Sequence, residues 1–195
     1  MEHQIIKFEL MKILNSILLF IGLAVLSNGY TQNIYNAIDG EVSFFSETPL
    51  ENIEALNKTL KALINTDNGE IAFVVTNVGF KFDKPLMEEH FNENYIESDK
   101  YKVSTFKGKL SGDLLDFSKD GTYKVKAKGT LDLHGVEKER EIEGNIEIKD
   151  GKIYLKGEFE ISLKEHKIKI PKIVTEKIAE NVLVRVNITL APKSK

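Results

Sequence analysis

Cysteine is absent from the 195 residues. With it go disulfides, thiolate nucleophiles, Cys-ligated zinc, iron–sulfur sites and the acylated cysteine of a bacterial lipoprotein. Burial alone has to hold the fold. Charge of one sign is also lacking: 27 Lys plus Arg face 30 Asp plus Glu, for a formal net charge of -3. The chain therefore carries no electrostatic footprint for nucleic acid or for an anionic membrane. Histidines number only four, and there is no Gly-x-Ser-x-Gly, no His-Glu-x-x-His and no phosphate-cradling glycine loop. Glu89, His90 and Glu93 make half of a carboxylate metal pattern with no second copy, and His134-Gly135 reads as a turn. No enzyme activity, catalytic residue, resident metal or cofactor is expected. Repeats, low-complexity tracts and linkers are missing as well. With 42% hydrophobic and 29% charged residues, one globular domain is the expectation.

Long hydrophobic runs are limited to one. Lys7 and Lys12 precede Ile13 to Leu26, 14 residues without charge, followed by the small polar stretch Ser27, Asn28, Gly29. That run is short of the ~20 residues a membrane-spanning helix needs, and its flanks are those of a signal peptide over residues 1–29. Met11 is an alternative start, and cleavage falls before Tyr30 or near Gln32. The expected product is exported, periplasmic or secreted, with no integral membrane span after cleavage, its domain covering 30–195.

Downstream the period is two. From Tyr123 to Leu133, Tyr123, Val125, Ala127, Gly129, Leu131 and Leu133 alternate with Lys124, Lys126, Lys128, Thr130 and Asp132; one face is dry and the other wet. The pattern returns over Glu141 to Ile148 and Ile153 to Ile161, joined by Asp150-Gly151, a pair suited to the positive φ angles of a tight hairpin. Asp120-Gly121 marks another turn. Val182 to Leu190 forms a last strand fit to close against the first. Further strands are expected at Glu41–Ser46, Leu60–Asn65, Glu70–Asn77 and Ser104–Leu110. Eight antiparallel strands predict an all-β barrel, with a two-sheet sandwich as the rival. Two short helices are expected near the barrel ends: Pro85 to Ile96, capped by Asp83, and Lys172 to Glu180, stopping near Asn181.

Gly108, Gly129, Gly144 and Gly157 occupy strand positions where a side chain should point inward. They mark either bends in the strands or a hollow interior. A dry void of about 300 Å³ would cost roughly 7 kcal/mol by extrapolation of measured cavity penalties. That rivals the whole stability of a domain, so a hollow interior implies an apolar occupant.

Several stretches together resemble the YceI-like family of exported, lipocalin-like barrels associated with polyisoprenoid binding. They are Phe80-x-Phe82, Leu86-Met87-x-Glu89-His90-Phe91-Asn92-Glu93-Asn94-Tyr95-x-Glu97-Ser98-Asp99-Lys100-Tyr101, Phe106-x-Gly108, Gly129-x-Leu131-x-x-His134-Gly135-Val136, Ile170-Pro171-x-Ile173-Val174 and Lys177-Ile178-Ala179. The likeness runs from about Val42 to Leu190. Lys102 stands where the family often has proline, and His166 where it often has an aromatic. The resemblance implies an extended eight-stranded barrel with an apolar pore and a helix near one mouth. Ligand would be an isoprenoid-like lipid, a lipid quinone or another amphipathic lipid. Phe44, Phe73, Val75, Phe106, Tyr123, Val125, Leu131, Phe159, Val184 and Val186 are then expected on the walls, with Met87, Phe91 and Tyr95 at the lid. The competing reading is a filled barrel that docks a cell-envelope partner and holds no cargo.

Overall fold

Period-two alternation places every other residue on one face of a strand, and strands so patterned bury that face by curling the sheet around it. The computed structural model describes residues 33–112 and 114–193; the expected signal peptide, the alternative start and the cleavage site lie outside the described residues. Ten strands are formed: β1 (Ile34–Glu47), β2 (Asn52–Asn57), β3 (Lys61–Asn65), β4 (Glu70–Thr76), β5 (Phe80–Phe82), β6 (Val103–Ser111), β7 (Gly121–Leu133), β8 (Val136–Lys149), β9 (Lys152–Ser162) and β10 (Asn181–Pro192). Eight of them close in the order β1-β3-β4-β6-β7-β8-β9-β10, and β10 returns to β1. These eight are the ones the alternation predicts, and the barrel is antiparallel throughout, with the last strand on the first from Tyr35↔Pro192 to Phe45↔Leu183.

The two extra strands arise because β1 is longer than predicted and changes partner along one edge. Residues 34–36 pair with β3, whereas Val42 to Glu47 pair with β2, which in turn carries β5. Two fully buried amides fix this branch. Asn57 donates from Nδ2 to the Thr76 carbonyl (2.8 Å) and accepts from Thr59 N–H (2.8 Å) and Thr59 Oγ1 (2.8 Å). Asn77 donates to the Tyr101 carbonyl (2.6 Å) and accepts from Ser104 Oγ (2.7 Å). A buried amide left unpartnered would cost roughly 1–3 kcal/mol, so each asparagine fits only the branched arrangement.

The tight hairpins are as expected at Asp150-Gly151, with φ of 51° and 70°, and the same geometry joins β7 to β8 at His134-Gly135, with φ of 54° and 67°. Asp120 and Gly121 lie where the β6–β7 loop ends and β7 begins.

The helices differ from expectation. The first is a short α1 (Pro85–His90) that runs into a π turn over Phe91–Tyr95, closed by Ile96 N–H on the Phe91 carbonyl at 2.9 Å. Lys84, and not Asp83, is the residue at its start, without a side-chain cap; Pro85 supplies the fixed φ that opens a helix. The second helix does not form. Only one 3₁₀ turn, Lys172–Val174, is present, Ile173 faces solvent, and Asn181 opens β10. Ile173, Val174 and Thr175 are three consecutive β-branched residues, which disfavour a helix. The backbone that follows is tied to the barrel by Ala179 N–H on Ser46 Oγ (2.9 Å).

Candidate functional site

The strand glycines do not hollow the barrel in the way one face of the alternation suggested. Gly108 and Gly129 lie opposite each other on β6 and β7. A Cβ on Gly129 would collide with the Lys107 carbonyl and Gly108 Cα, and one on Gly108 would sit 2.5 Å from the Lys128 carbonyl. These positions are glycine because two strands bend into close approach. Gly144 is similarly pressed by the Lys156 carbonyl at 2.7 Å, while its partner Gly157 has no neighbour nearer than 3.9 Å.

The barrel is hollow nonetheless. Its interior holds a cavity of about 470 Å³. Phe44, Phe73, Val75, Phe106, Val125, Leu131, Phe159, Val184 and Val186 line it from the strands, and Met87, Phe91 and Tyr95 from the helical segment. Tyr123 is the exception among the residues singled out by sequence. Its ring packs against the edge of the core, and its hydroxyl donates to the Lys119 carbonyl (3.0 Å) in the β6–β7 loop. A tyrosine carries a donor that needs a partner, and this one finds it away from the cavity.

Uncharged polar groups on the wall are few, and Ser46 and Ser104 among them are already engaged, with Ala179 and Asn77. Charge appears where the cavity nears the surface, at Glu143 and Lys156 between β8 and β9 and beside α1. There Lys84 Nζ lies 2.8 Å from Glu51 Oε1, and that bond, aided by the charges of Lys84 and Lys177, holds the Glu51 carboxyl below its ordinary range. Burial pushes the Tyr95 phenol up. The helical segment is seated on four interlocked rings: Phe91 meets Phe44, Phe80 and Phe82 at centroid distances of 5.4, 5.5 and 5.1 Å. Phe44 also meets Phe80 at 5.3 Å and Phe82 at 5.7 Å.

A closed barrel with an apolar hollow and a helix over one end accords with the sequence match, since the model of the YceI-like domain fits residues 30–190. The chain belongs to the YceI-like family. Solved structures agree on the fold. A polyisoprenoid binding domain from Saccharophagus degradans, implicated in plant cell wall breakdown, superimposes with a TM-score of 0.70 at 16% identity, covering 82% of this chain and 98% of that one. Burkholderia cenocepacia BcnA gives 0.67 at 13% identity, over 77% and 95% of the two chains. The Campylobacter jejuni YCEI protein gives 0.55 at 18%, over 71% and 84%. None of the curated proteins matches the sequence.

In this YceI-like barrel His134 and His166 tie together the loops near the helical segment. His134, at the β7–β8 hairpin, donates from Nδ1 to the His166 carbonyl (3.0 Å) and places Nε2 at 2.7 Å from Glu97 Oε2. The turn is as the sequence predicts, and both partners of its imidazole come from segments distant in sequence. His166 is fully buried and turns Nδ1 toward the Leu133 and Val136 carbonyls at 3.3 and 3.2 Å. Gly135 leaves room for the Tyr101 ring, which a Cβ would meet at 2.5 Å. His90 is exposed at the cavity edge. No group of three or more His, Cys, Asp or Glu able to hold a metal occurs among the described residues.

Sequence reasoning missed further parts of the wall. Ala127, Leu133, Ile142, Leu155 and Ile161 line the cavity at the same parity as residues it named, so the alternation could have supplied them. Phe80 and Phe82 belong to β5, three residues long and too short to show a period.

Proposed function

We propose that this YceI-like domain binds an isoprenoid-like lipid, or another amphipathic lipid such as a lipid quinone, with the tail in the barrel. The observation that carries the reading is the cavity. For a sealed dry void of 470 Å³, ~24 cal/mol per Å³ gives about 11 kcal/mol as an upper bound, since this cavity also opens to the surface; even a fraction of that matters against the ~5–15 kcal/mol stability of a whole domain. Its aliphatic and aromatic wall offers water almost nothing to bond. An apolar chain removes the penalty: roughly 400 Å² of tail withdrawn from water contributes about 10 kcal/mol before ordering costs. The Saccharophagus neighbour is a polyisoprenoid binding domain, which supports the same ligand class. The filled-barrel interaction module fits poorly with a hollow of this size. The N-terminal sequence supports a place of action outside the cytoplasm.

Mass spectrometry of an organic extract tests the reading, on protein purified from its host without detergent. One long-chain lipid at near-stoichiometric yield is the expected result. Empty protein that also fails to take up added all-trans-retinol or a lipid quinone would sink it.

A further inference from the structure

Two of the eight contacts around the barrel come apart along their length: β1 leaves β3 after three pairs and is taken over by β2, whereas β8 and β9 part with no strand between them. β8 and β9 pair only from Lys149↔Lys152 to Gly144↔Gly157. Beyond the glycine pair both strands continue, β8 to Val136 held by β7 and β9 to Ser162 held by β10, without pairing to each other. The sequence explains the parting. Extending the register past Gly144↔Gly157 would set Glu143 against Glu158 and Glu141 against Glu160, and like charges directly opposed destabilise a strand pair. Each lip is instead drawn to the strand behind it: Lys126 Nζ holds Glu141 (2.9 Å) and Glu143 (3.2 Å), and Arg185 Nε holds Glu158 (2.7 Å).

The seam lies directly over the cavity. Ile142, Glu143, Gly144, Lys156, Gly157 and Phe159 all line the interior, and Glu143, Gly144, Lys156 and Gly157 also line a groove on the outer surface. The glycine row and its neighbours Glu143 and Lys156 are thus part of the wall between the two. Farther along, the β9–β10 connection closes the gap, through Arg140 Nη2 to Glu165 Oε2 (2.7 Å) and His166 on the Val136 carbonyl. That leaves a slot about three residues, or ~10 Å, long.

We propose that this slot is the side passage through which the lipid tail enters and leaves the cavity; the inference rests on the lipid-binding reading above. Displacing the helical segment to widen the end beside α1 would undo the three contacts that seat Phe91 on Phe44, Phe80 and Phe82, each worth about 0.5–1.5 kcal/mol beyond burial. At the seam there is no backbone ladder to break.

The chain has no cysteine, so Glu141→Cys with Glu160→Cys places the only two thiols on the outer faces of the lips, off the cavity wall. Uptake of all-trans-retinol is followed by its fluorescence in the oxidised and the reduced protein. Bridging the lips should slow uptake by roughly tenfold, leave the final occupancy unchanged, and be reversed by reductant. Equal rates in the two states would overturn the passage while leaving lipid binding intact; no retinol held by either state would overturn lipid binding itself. A second variant does not depend on the thiols meeting. Glu160→Cys carrying a maleimide polyethylene glycol should be slowed relative to its unlabelled form, and an unchanged rate would count against the slot.

Discussion

His166 gives its single ring proton to carbonyls, which can only accept, and this leaves Nε2 buried without a partner. A second proton would have to enter that apolar position, so burial pushes the imidazole below its usual value, against the upward pull of the two carbonyl bonds. The unfolded chain takes up that proton near pH 6.5 and the folded one only at lower pH. Stability from this group is therefore complete above about pH 7 and is lost as the pH falls through the window below about 6.5. Melting temperature should drop between pH 7.5 and 5.5, and His166→Phe should flatten that slope. Carboxylates such as Asp116, held at about 2 by Ser118 and Lys119, act in a separate, more acidic window. The paired strand glycines give a second expectation. Gly129→Ala forces a methyl into the β6 backbone and should cost about 2–3 kcal/mol in urea unfolding, whereas Gly157→Ala meets nothing within 3.9 Å and should be close to neutral. At this scale sequence is least legible. Tyr123 has the right parity for the cavity, but its hydroxyl is drawn to the Lys119 carbonyl four residues earlier, in the loop that leads into β7, and side-chain parity alone does not record that bond.

Among the elements, the strands were the legible part and the helical segment the difficult one. Alternation over eight or more residues marks a strand whatever its neighbours are, and for that reason β7, β9 and β10 were readable nearly to their ends, while β8 was legible only from Glu141, because the four successive charged residues Glu137 to Arg140 hide its first part. β2 and β5 exist because β1 changes partner and two buried asparagines stitch the branch; both are tertiary causes. The π turn at Phe91–Tyr95 has a tertiary cause as well, since it sets Phe91 among rings from β1 and β5. Phe91→Ala should lower stability by roughly 2–4 kcal/mol. Amide exchange should quicken over residues 85–96 and stay slow in β7, because α1 and its π turn hold to the barrel through that knot more than through backbone pairing.

For the molecule as a whole, the decisive property is that the barrel closes without filling. Ala127 lies on the cavity wall between larger neighbours, and Ala127→Phe would place a ring in the hollow. The variant should unfold at the same urea concentration as the parent or a higher one, while retinol binding is lost. A barrel that bound its ligand elsewhere would keep its affinity. Most of this site was legible because an inward row on a closed barrel is an inner wall, and the alternation identifies the row. What it could not show was that the glycines bend strands more than they make room. The closure itself bears on how the protein is made. β1 depends on β10 along Tyr35 to Phe45, and Lys193 N–H bonds the Ile34 carbonyl at 2.8 Å, so the first strand waits for nearly the entire domain to be synthesised before it has both neighbours. Contacts so distant in sequence make folding slow, on the scale of milliseconds to seconds. A chain cut short before β10 would expose the open edges of β1 and β9, two templates for strand pairing, and would end in aggregates more readily than in a soluble fragment.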